Sequence, residues 1–143
     1  MPVNKIVIHD KNGKILKGTT ADFLPKKPMF HLVIGGLHGD EVKEILIDTL
    51  KAVFFVKSYT GDKSYNDLKG FAESPGAVKK VKAVFNDGEI IFGYTNVINF
   101  DQLGLSIVPA DPKSNNERIF MVFSSLSALE IEGSPIDLQK IRK

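Results

Sequence analysis

The 143-residue chain contains no cysteine, and only Arg118 and Arg142 among its nineteen basic residues are arginine. Without cysteine there are no disulfides, thiolate metal sites or cysteine nucleophiles, and ligand chemistry falls to histidine and carboxylates. Scarce arginine means few planar guanidinium groups, the side chains best suited to bidentate phosphate recognition. No stretch of about eighteen apolar residues supports a membrane helix, and Met1 to Asp10 lacks the apolar segment of a signal peptide. The formal charge of +2 is too small to imply a nucleic-acid or membrane partner, although Lys5, Lys11, Lys14, Lys17, Lys26 and Lys27 crowd the first thirty residues. These absences lead to the expectation of a cytoplasmic protein with no cofactor, no metal and no membrane contact.

What is present is enough for a packed core, with 43% hydrophobic and 25% charged residues. It is also written twice. Residues 12–20, Asn-Gly-Lys-Ile-Leu-Lys-Gly-Thr-Thr, return 75 positions later as Asp-Gly-Glu-Ile-Ile-Phe-Gly-Tyr-Thr at 87–95. Asn12-Gly13 and Asp87-Gly88 are dipeptides that accept positive φ, which predicts a two-residue type I′ hairpin in each copy. Five residues on, Gly18 and Gly93 stand inside the second strand, where glycine signals a sharp bend, a bulge or a close backbone approach.

Third strands are expected at Phe30–Ile34 and Leu105–Val108, followed by polar loops over Gly35–Glu41 and Pro109–Asn116, after which the offset becomes 76. Ile45, Ile47, Leu50, Val53 and Phe55 then match Met121, Phe123, Leu126, Leu129 and Ile131, a shared inward face broken by Asp48-Thr49 and Ser124-Ser125. The pattern reads as five short strands per copy. Its units are a first β-barrel repeat over 1–58, a connector over 59–78, a second repeat over 79–133 and a C-terminal helix over 134–143. Ser134 reads as the N-cap of that helix, Pro135 as its first residue and Asp137 as an acid complementing its dipole.

A first strand, a tight Asn-Gly or Asp-Gly turn, a glycine five residues on and three more strands resembles the Sm-like small barrel. The resemblance implies an all-β fold of two tandem five-stranded small barrels related by internal duplication, with a short C-terminal helix. The whole chain also resembles an uncharacterised bacterial family with a doubled Asp-Gly-x4-Gly-x-Thr element. Its distinctive stretches here are Lys51 to Val56 and Pro109 to Arg118. Association of such proteins with PilZ-type signalling domains implies a regulatory setting, though the Arg-x-x-x-Arg element of a cyclic dinucleotide site is absent. RNA-binding Sm-like proteins use Asp and Asn after the second strand and an Arg-Gly pair near the end of the fold. Asn96 and Asn99 approach the first requirement and nothing meets the second.

Candidate chemistry is sparse. His31, His38, Asp40 and Glu41 form a metal-capable set that reads more simply as a solvated loop. Ser124-Ser125 has no nucleophile elbow around it, and the glycine pairs lack the context of a phosphate-binding loop. Tyr59, Tyr65 and Phe71 among Lys57, Lys63 and Lys69 read as clamps of the connector onto the repeats. Interface candidates come from disagreement between the copies: Phe54 stands opposite Glu130, Phe92 opposite Lys17 and Val84 opposite His9. A large apolar group at a position that is polar in its sister copy marks a contact surface, either with the sister copy or the connector or with another molecule. The functional expectation is a non-catalytic binding or regulatory module acting through protein–protein contacts, with a partner protein or a homodimer. The alternative is an Sm-like RNA-binding protein.

Overall fold

The computed structural model describes residues 4–36, 39–57, 78–96, 98–111 and 116–141. His38 and most of the expected connector, with Tyr59, Lys63, Tyr65, Lys69 and Phe71, lie outside the described residues. The elements in chain order are β1 Asn4–Asp10, β2 Ile15–Thr20, β3 Met29–Gly36, β4 Gly39–Leu46, β5 Leu50–Val56, β6 Lys79–Phe85, β7 Ile90–Thr95, β8 Gly104–Pro109, β9 Asn116–Val122, β10 Leu126–Ile131, β11 Ser134–Pro135 and α1 Leu138–Ile141. Short 3-10 turns over Ile47–Thr49 and Phe123–Ser125 stand between β4 and β5 and between β9 and β10. The segment read as a polar loop over Gly35–Glu41 is instead the hairpin of β3 and β4, with Gly36 opposite Gly39.

The two dipeptide turns differ from the expected two-residue form. Asn12 and Asp87 keep negative φ, while Gly13 (+89°) and Gly88 (+93°) are left-handed. The amide of Gly13 donates to the Asp10 carbonyl and that of Asp10 to the Lys14 carbonyl, with Phe85, Gly88 and Glu89 repeating the pattern. Each is therefore a three-residue loop closed by a left-handed glycine. Asp10 Oδ1 accepts from the Asn12 and Lys14 amides, which favours this wider loop in the first copy.

The strands form one open antiparallel sheet in the order β11-β10-β6-β7-β8-β9-β5-β1-β2-β3-β4, rather than two separately closed barrels. The reason lies in the fourth strand of the second half. β9 does not return to close on β10. It pairs with β5 of the first half, Ala52 opposite Met121, Val53 opposite Phe120, Phe54 opposite Ile119 and Phe55 opposite Arg118.

That central pair is buried on both faces, so β5 reads as a continuous apolar run, Ala52 to Val56. Val53 and Phe55 join Ile6, Ile8, Phe30 and Leu32 in one core, to which β9 adds Phe120 and Val122. Ala52, Phe54 and Val56 enter a second core with Val81, Phe85, Leu105 and Leu129, to which β9 adds Ile119 and Met121. Side-chain alternation thus sends one strand pair into two cores on opposite faces. All ten residues of the matched inward pattern from Ile45 to Phe55 and from Met121 to Ile131 are buried.

The C-terminal helix is shorter than the sequence suggests. Glu132 (φ +54°) and Gly133 (+79°) are both left-handed, and this two-residue turn folds Ser134–Pro135 back on β10 as β11. The helix then begins at Leu138, and the Gln139 amide donates to Asp137 Oδ1 at 3.0 Å, which makes Asp137 its capping acid.

Candidate interaction edge and the junction between the halves

Pairing of β5 with β9 brings the repeated turns together around a recess of about 430 Å³, lined by residues of both, among them His9, Asn12, Lys51, Phe85, Asp87 and Ser125. At its centre Lys51 is tied to the second half: its Nζ donates to Asp87 Oδ2 at 2.7 Å and to Glu89 Oε1, and lies 4.9 Å from the centre of the Phe85 ring. Only 12% of that side chain is exposed. Burial works against its charge, but the hydrogen bonds to Asp87 and Glu89 outweigh burial and hold the ammonium pKa above its ordinary value. The same bond from Lys51, helped by the Glu89 amide, holds the Asp87 carboxyl below the usual range.

His9 lies beside them with its ring 4.7 Å from that of Phe54. Burial, reinforced by the Lys51 ammonium, pushes the imidazole below its ordinary value, so it is neutral at pH 7. Lys11 Nζ donates to Ser124 Oγ at 2.7 Å, which donates in turn to Asp48 Oδ1. Ser125 Oγ lies 2.8 Å from the Lys51 carbonyl and 2.7 Å from that of Val122. The cation faces two carboxylates and the buried hydroxyl faces backbone carbonyls. Chemically, this arrangement fastens one half to the other.

Of the interface candidates, Phe54 is only 8% exposed, because β9 covers it with Ile119. Phe92 and Val84 are half-buried. Phe54 and Phe92, one from each half, line a common recess of about 70 Å³ with Ala110 and Ile119. Phe54 thus packs on the other half of the chain through β9, one of the two kinds of contact expected of it. At Gly18 and Gly93 an added Cβ would stand 2.4 Å from the Val33 carbonyl oxygen and 2.6 Å from that of Val108, so backbone occupies the space a side chain would need.

Of the metal-capable set, His38 lies outside the described residues, and the other three stand apart along the β3–β4 hairpin. His31 Nδ1 is 2.6 Å from Asp22 Oδ2, while Asp40 and Glu41 lie farther along the hairpin, opposite Gly35 and Ile34. Burial favours the neutral Asp22 acid, yet hydrogen bonds from the His31 ring and amide and from Thr20 outweigh it and lower the pKa. Among the described residues no three histidine or carboxylate groups gather as a metal site.

The feature missed by the sequence reading is the outer edge of β4. Among the described residues β4 has β3 on one side and no strand on the other. The Ile47 amide donates to the Pro28 carbonyl, continuing the β3–β4 ladder, so odd-numbered residues of β4 turn their peptide groups toward β3. Asp40, Val42, Glu44 and Leu46 turn theirs outward. Val42 is 60% and Leu46 55% exposed, while Lys43 and Glu44 set charges between them. The available signal was the comparison with the sister strand, where Lys43 and Glu44 correspond to the buried Ile119 and Phe120.

These features define an all-β fold built on a single antiparallel sheet that runs from β11 to β4, and among the described residues no helix is long and apolar enough to cross a membrane. The chain belongs to a family of unknown function, DUF6982, whose model matches residues 3–133. No curated protein and no solved structure matches it.

Proposed function

We propose that the protein is a non-catalytic binding module that holds its partner by adding a strand to the outer edge of β4. The observation that carries this is the contrast between equivalent edges: β9 is covered by β5, whereas β4 presents outward peptide groups and two exposed apolar side chains. An edge of this kind is a template for another strand, main-chain hydrogen bonds supplying affinity and alternate side chains supplying specificity. Each half reads as an Sm-like unit, supported by the equivalent orders β5-β1-β2-β3-β4 and β10-β6-β7-β8-β9. The RNA-binding alternative draws little support, because Arg118, the one arginine among the described residues, stacks 4.1 Å from the Phe55 ring centre.

A photo-crosslinking residue placed at Val42 in cells tests the reading, with Ile15, an exposed apolar residue at 51% on β2, as the control position. Adducts are expected from position 42 alone, and Glu44→Pro, which removes an outward amide, is expected to abolish them. Equal yields from the two positions, or none from position 42, would overturn it.

A further inference from the structure

Resting on that reading of β4, we infer that the partner strand is β10 of a second copy of this chain, and that β11 is an exchangeable cap over the site it takes. The junction inside the chain supplies the template. β9 lies on β5 with Met121 opposite Ala52, Ile119 opposite Phe54 and Arg118 opposite Phe55. The equivalents of these residues, 76 positions away, are the two ends of the sheet: Ile45 falls opposite Ala128, Lys43 opposite Glu130 and Val42 opposite Ile131.

The copies differ together. Where the internal junction pairs apolar Phe54 with apolar Ile119, the external one sets Glu130 against Lys43, opposite charges directly across a strand pair. Where Phe55 holds Arg118 against its ring, the external pair is Ile131 with Val42, both β-branched. Replacement on one edge is thus met by a compatible replacement on the other in two successive pairs. Glu44 opposite Leu129 is the mismatch, at the place where Phe120 meets Val53.

The cap occupies the same groups. In β5 the residues facing β9 include Val53 and Phe55, whose equivalents in β10 are Leu129 and Ile131. The Ile136 amide donates to the Leu129 carbonyl, and Ser134 stands opposite Ile131. This ladder is two residue pairs long and rests on two left-handed residues in succession, one of them Glu132, where a side chain strains the backbone. Contact between α1 and β10, with Leu138 buried beside Leu129, holds the cap down. A second copy must lift the Ser134–Pro135 strand to enter, and the association is head-to-tail.

The test uses the full chain. Gly133→Val removes the glycine that tolerates the cap's turn, Glu132→Val adds β-branching at the residue already strained there, and folding of the double variant is checked by circular dichroism. Its self-association, measured by sedimentation over a concentration series, is expected to tighten at least tenfold over the parent. Lys43→Glu in that background is expected to abolish association, and adding Glu130→Lys to restore it. A folded double-valine variant that associates no more tightly than the parent, or one indifferent to Lys43→Glu, overturns the inference. If the double-valine variant does not fold, Glu44→Leu in the parent chain takes its place: tighter self-association that Lys43→Glu removes is expected, and no change overturns the inference. Adducts from position 42 to a different protein, with no self-association of any variant, would sink this inference and leave the binding reading standing.

Discussion

Ser124 donates a hydrogen bond to Asp48 at 3.1 Å, and the two residues stand at the same place in the two halves of the chain. Equivalent points touch because β9 lies beside β5, which sets the 3-10 turn leaving β9 against the turn entering β5. The contact extends through Lys51 to Asp87 and Glu89, so the polar side of the junction is a fastening between halves.

Lys51→Met keeps most of the aliphatic stem over Phe85 and removes the charge. Because Lys51 is 12% exposed but Asp87 is 56% exposed, solvent screening discounts the pair, and the variant is expected to lose about 1–2 kcal/mol in urea denaturation. Asp87→Asn is expected to cost less, since Glu89 still faces the ammonium. A larger loss for Asp87→Asn than for Lys51→Met would show that the turn, not the ion pair, is what the carboxylate supports.

Stability is expected to fall with acid in two stages. The folded His9 pKa lies below 6.5, so the folded chain resists a proton the unfolded chain accepts, and stability present above about pH 6.5 declines as pH falls through the folded value. The folded Asp87 and Asp22 pKa values lie below 3.8, so their contribution is complete above about pH 4 and lost below it. Val84 stands 75 positions on at the matching place in β6, and His9→Val removes the titrating ring while keeping a β-branched residue suited to a strand. Denaturation midpoints of that variant between pH 7 and pH 5 should change less than those of the parent; an identical slope would remove His9 as the cause.

Much of the strand pattern was legible because repetition doubles every local signal. Two copies of a turn glycine followed by an interior glycine place four strands, and matched apolar positions at spacings of two place two more in each half. What was illegible is how strands of different halves meet. Nothing in Gly35, Asp40 or Glu41 taken alone distinguishes a polar loop from the paired ends of a hairpin. Phe54 likewise reads as a contact residue without its partner being legible, until β9 is placed on β5. Both gaps share a cause: a strand's burial depends on its neighbour, and the neighbour is chosen by long-range pairing that local pattern does not encode. The short tail helix is present but starts later than its Ser134-Pro135 signal implies, because the left-handed Glu132-Gly133 turn folds those two residues back on β10.

The two interior glycines are expected to be less replaceable than the two turn glycines. Gly18→Ala and Gly93→Ala drive a methyl into the carbonyls of Val33 and Val108, so the cost is expected to be about 2–3 kcal/mol each by chemical denaturation. Gly13→Ala and Gly88→Ala meet nothing within 4 Å and carry only the strain of positive φ, about 1–2 kcal/mol. The reverse ranking would mean that β2 and β3 separate easily enough to admit a side chain.

Phe54 and Phe92 provide the sharpest separation between contact within the chain and contact with another molecule. Phe54 is 8% exposed and packs against Ile119 across the junction, so Phe54→Ser removes a buried ring from the second core and is expected to cost about 3–5 kcal/mol. Phe92 is half-buried on the same recess, so Phe92→Ser is expected to cost about 1–2 kcal/mol. Phe54 stands on β5 and Phe92 on β7, neither of them a terminal strand of the sheet, so the solution mass of each folded variant should equal that of the parent at every concentration. A change in mass without a change in stability would move these residues from the internal junction to an external one. Coupling supplies the closing check. If the rings act together at the junction, the double variant should lose less than the sum of the single losses.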